Sequence, residues 1–280
     1  MSEFLVDYET AIRLLAFVGI FALMALWEQV APRRHRTVPR SQRWPGNLGV
    51  AVFNTALLRL VLPTTAVAMA FAMEARGVGL LNAVQLPPWL AMVIALLVLD
   101  LAIYLQHLLF HAVPLFWRLH RMHHADVDMD VSNGLRFHPL EIVLSMGIKF
   151  AVIAALGPPA AAVVVFEVLL NALAIFNHSN VHLPTRLERW LRWLVVTPDM
   201  HRIHHSWHRA EHDRNYGFNL SIWDRLFATY CAQPRDGQLE MTLGLPILRE
   251  PKWRRLDQML LLPLAADDGA EKNRPDQRHP

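Results

Sequence analysis

The chain has 280 residues, of which 54% are hydrophobic and 18% are charged, with a net charge of +3. This apolar content exceeds that of soluble domains and indicates a membrane protein, while the lack of a basic, aromatic-rich segment excludes a nucleic-acid partner. The single cysteine, Cys231, excludes an internal disulfide, a C-x-x-C redox motif and a thiolate cluster for zinc.

Three apolar stretches are long enough to cross a bilayer, which takes about 20 residues in a helix. They run at about residues 11–30, 48–73 and 88–110. A fourth apolar region, at about residues 142–176, is interrupted by Gly157-Pro158-Pro159. Because proline cannot continue a helix, this region is predicted to form a helical hairpin that enters and leaves the membrane on one side.

The loop after the first stretch is rich in arginine and carries Arg33, Arg34, Arg36, Arg40 and Arg43. By the positive-inside rule this loop is predicted to be cytoplasmic. The second and third spans then cross the membrane and return, which places residue 111 on the cytoplasmic face. The hairpin leaves and returns on that face, so its end near residue 177 lies there too. Because the first residues are acidic and no organelle signal is evident, we expect no cleaved signal peptide and a bacterial inner membrane location.

Two shorter segments have the apolar and basic faces of helices that lie in the headgroup plane. Residues 185–195 combine leucines and tryptophan with three arginines, and residues 251–264 have a similar pattern. Such helices could frame an entrance for lipid, although ordinary packing helices would show the same pattern. The polar tail from Ala265 onward is predicted to be disordered.

Ten of the fifteen histidines lie in four clusters that repeat two spacings. On a helix, residues three and four apart face the same side, so each cluster can direct its imidazoles at one point. Because one first-row metal rarely takes more than about six ligands, ten imidazoles predict two metal ions. The clusters are His107 with His111, His120 with His123 and His124, His178 with His182, and His201 with His204 and His205.

The surrounding sequence narrows the choice of metal. No His-Glu-x-x-His motif of zinc hydrolases is present, and no clustered histidine has a glutamate three residues before it, as soluble carboxylate-bridged di-iron proteins do. Iron(II) is the redox-active metal whose dioxygen chemistry could attack an unactivated C–H bond. The spacing alone does not separate iron from zinc or copper.

Longer motifs accompany these histidines, namely Arg136-Phe-His-Pro-Leu-Glu141, Asn177-His-Ser-Asn-Val181 and the stretch from Asn215 to Thr229. Together, over about residues 95–230, they resemble the fatty acid hydroxylase / sterol desaturase superfamily of integral membrane, histidine-rich di-iron oxygenases. The resemblance implies an all-α fold, with a membrane bundle of about three spans plus the hairpin and a cytoplasmic, histidine-rich catalytic cap. The implied regions are an N-terminal transmembrane region (1–87), a di-iron domain (88–235) and a C-terminal interfacial segment with its tail (236–280).

The resemblance also implies that the ten clustered histidines hold two ferrous ions, with His138 as the alternative to His182. His138 and His208 are expected either to reach a metal or to hold a ligand in place. The remaining histidines, His35, His212 and His279, are expected to be exposed. Further candidates for orienting the ligands, or the loop over them, are Asp100, which lies two helical turns before His107, and Glu141, Asn180, Asn215 and Asp224.

The activity implied by the resemblance is hydroxylation of a lipid or sterol-like substrate with dioxygen and two electrons. Since no haem, flavin or dinucleotide motif is present, the electrons are expected from a separate ferredoxin or cytochrome with its reductase. Zinc could replace iron in purified protein. The alternatives are desaturation on the same scaffold, a membrane metal-binding or transport protein, and a zinc enzyme without redox chemistry.

Overall fold

The computed structural model describes residues 2–266, and among these residues it contains helices and loops but no β-strand. The predicted all-α fold is therefore confirmed. Short 3-10 helices lie at Val131–Leu135, Pro251–Arg254 and Leu262–Leu264. The α-helices are α1 (Ser2–Asp7), α2 (Glu9–Val30), α3 (Arg40–Val61), α4 (Ala66–Ala75), α5 (Leu80–Ala83), α6 (Pro88–Ala112), α7 (Pro114–His124), α8 (Pro139–Leu156), α9 (Ala160–Asn177), α10 (Thr185–Leu191), α11 (Pro198–His204), α12 (Arg209–His212), α13 (Ile222–Leu226), α14 (Gly237–Glu240) and α15 (Leu256–Leu261).

Several helices are long and apolar enough to cross a membrane, and the chain is an integral membrane protein. These segments are Glu9–Val30, Arg40–Ala83, Pro88–Ala112, Pro139–Leu156 and Ala160–Asn177. Leucines on α2 such as Leu15 and Leu26 are exposed, as expected for side chains that face lipid.

The second apolar stretch does not form the single span expected at residues 48–73. Helix α3 ends at Val61, and α4 begins only at Ala66. Between them lies Pro63, which has no backbone N–H for a helical hydrogen bond. The Thr65 side chain then accepts a hydrogen bond from the Ala68 amide and starts the new helix.

The predicted hairpin is confirmed by helices α8 and α9. Gly157 ends α8 in the left-handed conformation, with φ of 62°, and Pro159 directly precedes α9. Helix α9 then packs among α2, α4 and α6, and its Val163 and Val164 side chains are buried. Helix α9 therefore lies at the centre of the bundle and ends at Asn177, beside the next histidine cluster.

The turn between α8 and α9 gives a direct test of this packing. A Cβ at Gly157 would lie 2.5 Å from both the Asn82 Nδ2 and Val78 O atoms, in a backbone conformation that disfavours side chains. We expect Gly157→Ala to lower the free energy of unfolding by about 2 kcal/mol or more. Gly147→Ala is the matched control, since no atom lies within 4 Å of its added Cβ. Thermal unfolding in detergent measures both, and equal melting temperatures would contradict the turn geometry.

One face of the segment at residues 251–264 packs into the protein. Met259 and Leu262 are fully buried, in a cluster with Val50 of α3 and Met122 of α7. Leu261 and Leu264 of the same segment are exposed. Residues 267–280, which include His279 and nearly all of the predicted disordered tail, lie outside the described residues.

A buried ion-pair network fixes the loop that follows α7. The Arg43 guanidinium contacts Asp126 at 2.8 Å and Asp130 at 2.7 Å, and it is fully buried. Burial would raise the pKa of Asp126, but the neighbouring Arg43 and Arg136 guanidinium groups outweigh it and lower this pKa to about 2. The network therefore anchors the chain directly after the His120–His124 cluster.

Candidate metal centre

The structure brings nine of the ten clustered histidines together in two adjacent buried groups. Within each group, one ligand atom per residue lies within 4.8 Å of all the others. The five-histidine group contains His107, His111, His120, His124 and His204. The four-histidine group contains His123, His178, His201 and His205.

Helix α7, and helix α11 together with His205 directly after it, each distribute three histidines between the two groups. On each helix the outer two histidines are four residues apart, share a face and join the same group. The middle histidine points to the other group. His123 of α7 thus joins the four-histidine group, while His204 of α11 joins the five-histidine group. The two groups are interlocked, because each helix supplies both.

The ring nitrogens converge at the spacing of ligands around a metal ion. The Nε2 atoms of His107 and His120 are 3.1 Å apart in the five-histidine group. In the four-histidine group, the Nε2 atom of His178 is 3.0 Å from those of His123 and His201. Nitrogens bound to one ion at about 2.1 Å lie roughly 3 Å from each other.

Many of these nitrogens are buried without a hydrogen-bond partner, which costs free energy unless something else binds them. Burial, together with the neighbouring imidazoles, lowers the pKa of His204 and His205 well below its usual value and keeps both rings neutral. Neutral imidazole is the form that binds metal, so this donor set fits metal ions. The unpartnered atoms are Nε2 of His111, His204 and His205, Nδ1 of His123 and His201, and both nitrogens of His124.

Backbone carbonyls fix the orientation of three rings. The Nδ1 atom of His107 donates to the Tyr216 carbonyl at 2.8 Å, and that of His204 donates to the Arg214 carbonyl at 2.8 Å. His178 donates in the same way to the Ala174 carbonyl at 2.7 Å. A donor proton on Nδ1 leaves the Nε2 lone pair free, which is the arrangement typical of metal-binding histidines.

Two carboxylates fix the orientation of other rings in the five-histidine group. Glu141 Oε1 lies 2.7 Å from His120 Nδ1 and is buried, and Asp213 Oδ1 lies 3.2 Å from His111 Nδ1. Asp213 is at the edge of exposure, so Glu141 is the stronger of the two contacts. Glu141 is the sequence candidate that contacts a histidine directly.

The loop that supplies the Tyr216 and Arg214 carbonyls is held by two other sequence candidates. Asp224 accepts hydrogen bonds from the amides of Tyr216 and Gly217 at 2.7 and 2.8 Å. Asn215, in the left-handed conformation with φ of 54°, donates to the carbonyls of Met200 and Cys231. Both residues therefore act on the histidines through the backbone of this loop.

Asp100 and Asn180 contact neighbouring loops and no histidine ring. Asp100 Oδ2 accepts from the Leu220 amide and from Trp223 Nε1, at 3.2 and 2.8 Å. Asn180 exchanges hydrogen bonds with the backbone of Arg34. Asp100 thus supports the loop of Asn215 and Asp224, and the expectation that it orients a ligand is not met.

The other histidines among residues 2–266 lie outside both groups. His182 is exposed, His208 Nε2 contacts Asp236 Oδ2 at 2.8 Å, and His138 accepts from the Leu140 amide at the start of α8. The prediction that His212 is exposed is wrong, because its ring is buried and stacks on Trp117 with 5.4 Å between ring centroids. His35 is exposed, as predicted.

Some contributors to the site were not found from the sequence. Phe137 stacks on His123 with 4.4 Å between ring centroids, and Phe218 lies 6.3 Å from both His178 and His201. Phe137 is part of the Arg136-to-Glu141 motif and Phe218 of the Asn215-to-Thr229 motif. Their positions inside these motifs were the sequence signal that could have identified them as part of the site.

Known protein families and relatives match the part of the chain that contains this centre. Residues 92–229 match the family model described as fatty acid hydroxylase. The ornithine lipid hydroxylase of Rhizobium tropici is 30% identical over 157 residues, which are 56% of this chain and 46% of that protein. Alkylglycerol monooxygenase of Homo sapiens is 30% identical over 145 residues, 50% of this chain and 30% of that protein.

A fatty acid hydroxylase of a Lecanicillium species is 28% identical over 159 residues, 51% of this chain and 43% of that protein. The chain thus spans less than half the length of these relatives. No solved structure gives a significant match. Residues 92–229, which carry all nine histidines of the two groups, belong to the fatty acid hydroxylase family.

Proposed function

We propose that this chain is a membrane-bound oxygenase that hydroxylates a C–H bond of a lipid or sterol-like substrate. The observation that carries the proposal is the pair of interlocked histidine groups at the end of an apolar helical bundle. It is supported by relatives whose names state that they act on ornithine lipids, alkylglycerols and fatty acids.

The proposed cofactor is a pair of iron ions, one held by the five-histidine group and one by the four-histidine group. The donor set supports this choice, because neutral imidazoles suit iron and no thiolate or bridging carboxylate lies in either group. When bound, the iron pair would supply the activation of dioxygen that insertion into a C–H bond needs. His182, which the sequence predicted as a ligand, lies outside both groups and is left out of the proposed ligand set.

The protein's own residues prepare this site. Phe137 and Phe218 cover the four-histidine group with apolar rings and so exclude water from it. Glu141 accepts a hydrogen bond from His120 Nδ1 and holds that imidazole in one tautomer. The loop around Asn215 and Asp224 sets the angles of His107 and His204 through its carbonyls.

Hydroxylation consumes one dioxygen, two electrons and two protons and yields an alcohol and water. The electrons are proposed to come from a separate donor, such as a ferredoxin or a cytochrome with its reductase. We also propose that the centre faces the cytoplasm of a bacterial inner membrane, on the basis of the arginine-rich loop after α2. Several of these arginines are ion-paired in the structure, for example Arg33 with Asp199 and Arg40 with Glu28.

The test is expression of the chain in cells supplied with isotopically labelled dioxygen, followed by mass spectrometry of the lipids. Hydroxylation predicts a lipid that gains one labelled oxygen atom, and a double variant lacking His201 and His204 serves as the negative control. Loss of two hydrogens without gain of oxygen would instead indicate desaturation. If the lipids of wild-type and control cells are the same, the proposal is wrong.

A further inference from the structure

We infer that α10 and α13 together form a surface that is embedded in the lipid leaflet beside α6. Several large apolar side chains on these helices and in the turns after them are exposed, with Trp190 and Leu226 at 70% and 66%. Exposed apolar groups on this scale mark contact with a partner or a membrane. The surface, called here the α10–α13 surface, consists of Trp190, Trp193, Leu194, Ile222, Leu226 and Phe227.

The two halves of the α10–α13 surface are joined directly, although about thirty residues separate them in sequence. The Ser221 amide donates to the Leu194 carbonyl at 3.2 Å, next to Ile222. The Arg225 guanidinium lies over the Trp193 ring, 4.6 Å from its centroid. These contacts hold both halves as one continuous surface.

The surface lies against α6 at the depth of the bilayer. Phe227 stacks on Tyr104 of α6 with 5.4 Å between ring centroids, and Trp223 donates to Asp100 one turn further down. Helix α6 has 25 residues and is therefore about 37 Å long, against about 30 Å of hydrocarbon. Tyr104 is eight residues from the last residue of α6, Ala112, and so lies about 12 Å from that end. With α6 centred in the bilayer, Tyr104 lies roughly 8 Å inside the hydrocarbon.

Several backbone amides of this segment are paired with buried carboxylates, as a location in lipid favours. Asp100 accepts from the Leu220 amide and Trp223 Nε1, and Asp224 accepts from the two amides at Tyr216 and Gly217. This arrangement gives a reason for an aspartate in the middle of an otherwise apolar helix. Without Asp100, backbone groups of the loop would lie against the acyl chains without a hydrogen-bond partner.

The composition of the surface favours lipid over a protein partner. Tryptophan is enriched where a protein crosses the boundary between headgroups and acyl chains, and arginines beside it can reach the headgroups. Arg186 and Arg189 are exposed on α10, next to Trp190. The occupant we assign is thus the phospholipid leaflet that surrounds α6.

Spin labels at single cysteines test this inference in the full chain reconstituted in vesicles of phosphatidylcholine and phosphatidylglycerol. In a Cys231→Ser background, Leu226→Cys and Trp190→Cys each carry one label. Leu239→Cys is the matched control, because Leu239 is also exposed but lies on α14, beside the loop that follows α2. Relaxation of each label is measured with oxygen, which concentrates in lipid, and with a nickel complex, which stays in water.

We expect oxygen to dominate at positions 226 and 190 and the nickel complex to dominate at position 239. Nickel access at either 226 or 190 equal to that at 239 would overturn the inference. All three positions are exposed, so the labels should be tolerated, and an unchanged metal content checks the fold of each variant. The measurement does not involve hydroxylation, so its failure would leave the proposed function intact.

Discussion

Replacing His201 or His204 by alanine is expected to remove iron from the protein and abolish lipid hydroxylation. Each side chain is buried within its group, and its nitrogens converge with those of the neighbouring ligands. Loss of an outer partner of a metal ligand typically lowers metal affinity or activity by about 10–100-fold, so loss of a ligand should cost more. Iron content and the yield of hydroxylated lipid measure the effect.

His182→Ala is the matched control for this prediction. It removes a histidine that the sequence spacing placed in the ligand set but that the structure leaves exposed and outside both groups. We expect its iron content and its activity to equal those of the wild type. Loss of iron in His182→Ala, or its retention in His201→Ala and His204→Ala, would contradict the two groups.

Glu141→Ala should give the second largest effect, a loss of about 10–100-fold in activity or metal affinity. The side chain is buried, and its Oε1 atom is the acceptor for His120 Nδ1 at 2.7 Å. Alanine would leave that N–H without a partner and free the ring to rotate. Glu141→Gln keeps an acceptor oxygen at the same place, so it should lose less.

A control variant and a ranking of iron affinities distinguish a specific role of Glu141 from a general effect of losing a negative charge. Glu240→Ala removes an exposed glutamate and should behave as the wild type. Iron affinity, measured by competition with a chelator, should fall from wild type to Glu141→Gln and further to Glu141→Ala. Equal affinities in the three proteins would show that Glu141 does not support the ligand.

The histidine spacing predicts most of the centre because α6, α7 and α11 are regular helices. It fails at His182 for a physical reason. Helix α9 ends at Asn177, and the chain from residue 179 to 184 is not helical, so the rule that residues four apart share a face does not apply. The His182 amide instead donates to the Ala31 carbonyl.

The division of the histidines between the two groups was beyond sequence reasoning. One helix shows that its middle histidine points away from the outer two, but only the packing of α7 against α11 determines which group receives His123 or His204. The contacts of Asp100 were also beyond sequence reasoning, because its spacing from His107 suggested contact with a ligand. Its side chain is taken up by Trp223 and the Leu220 amide, which come from a segment more than a hundred residues later.

The central claim is that nine histidines hold two iron ions in this chain, and the most direct test is the metal content of protein purified anaerobically from iron-replete cells. We predict two iron ions per chain, measured by elemental analysis against protein concentration. Protein that contains no iron, or zinc alone, would contradict the claim.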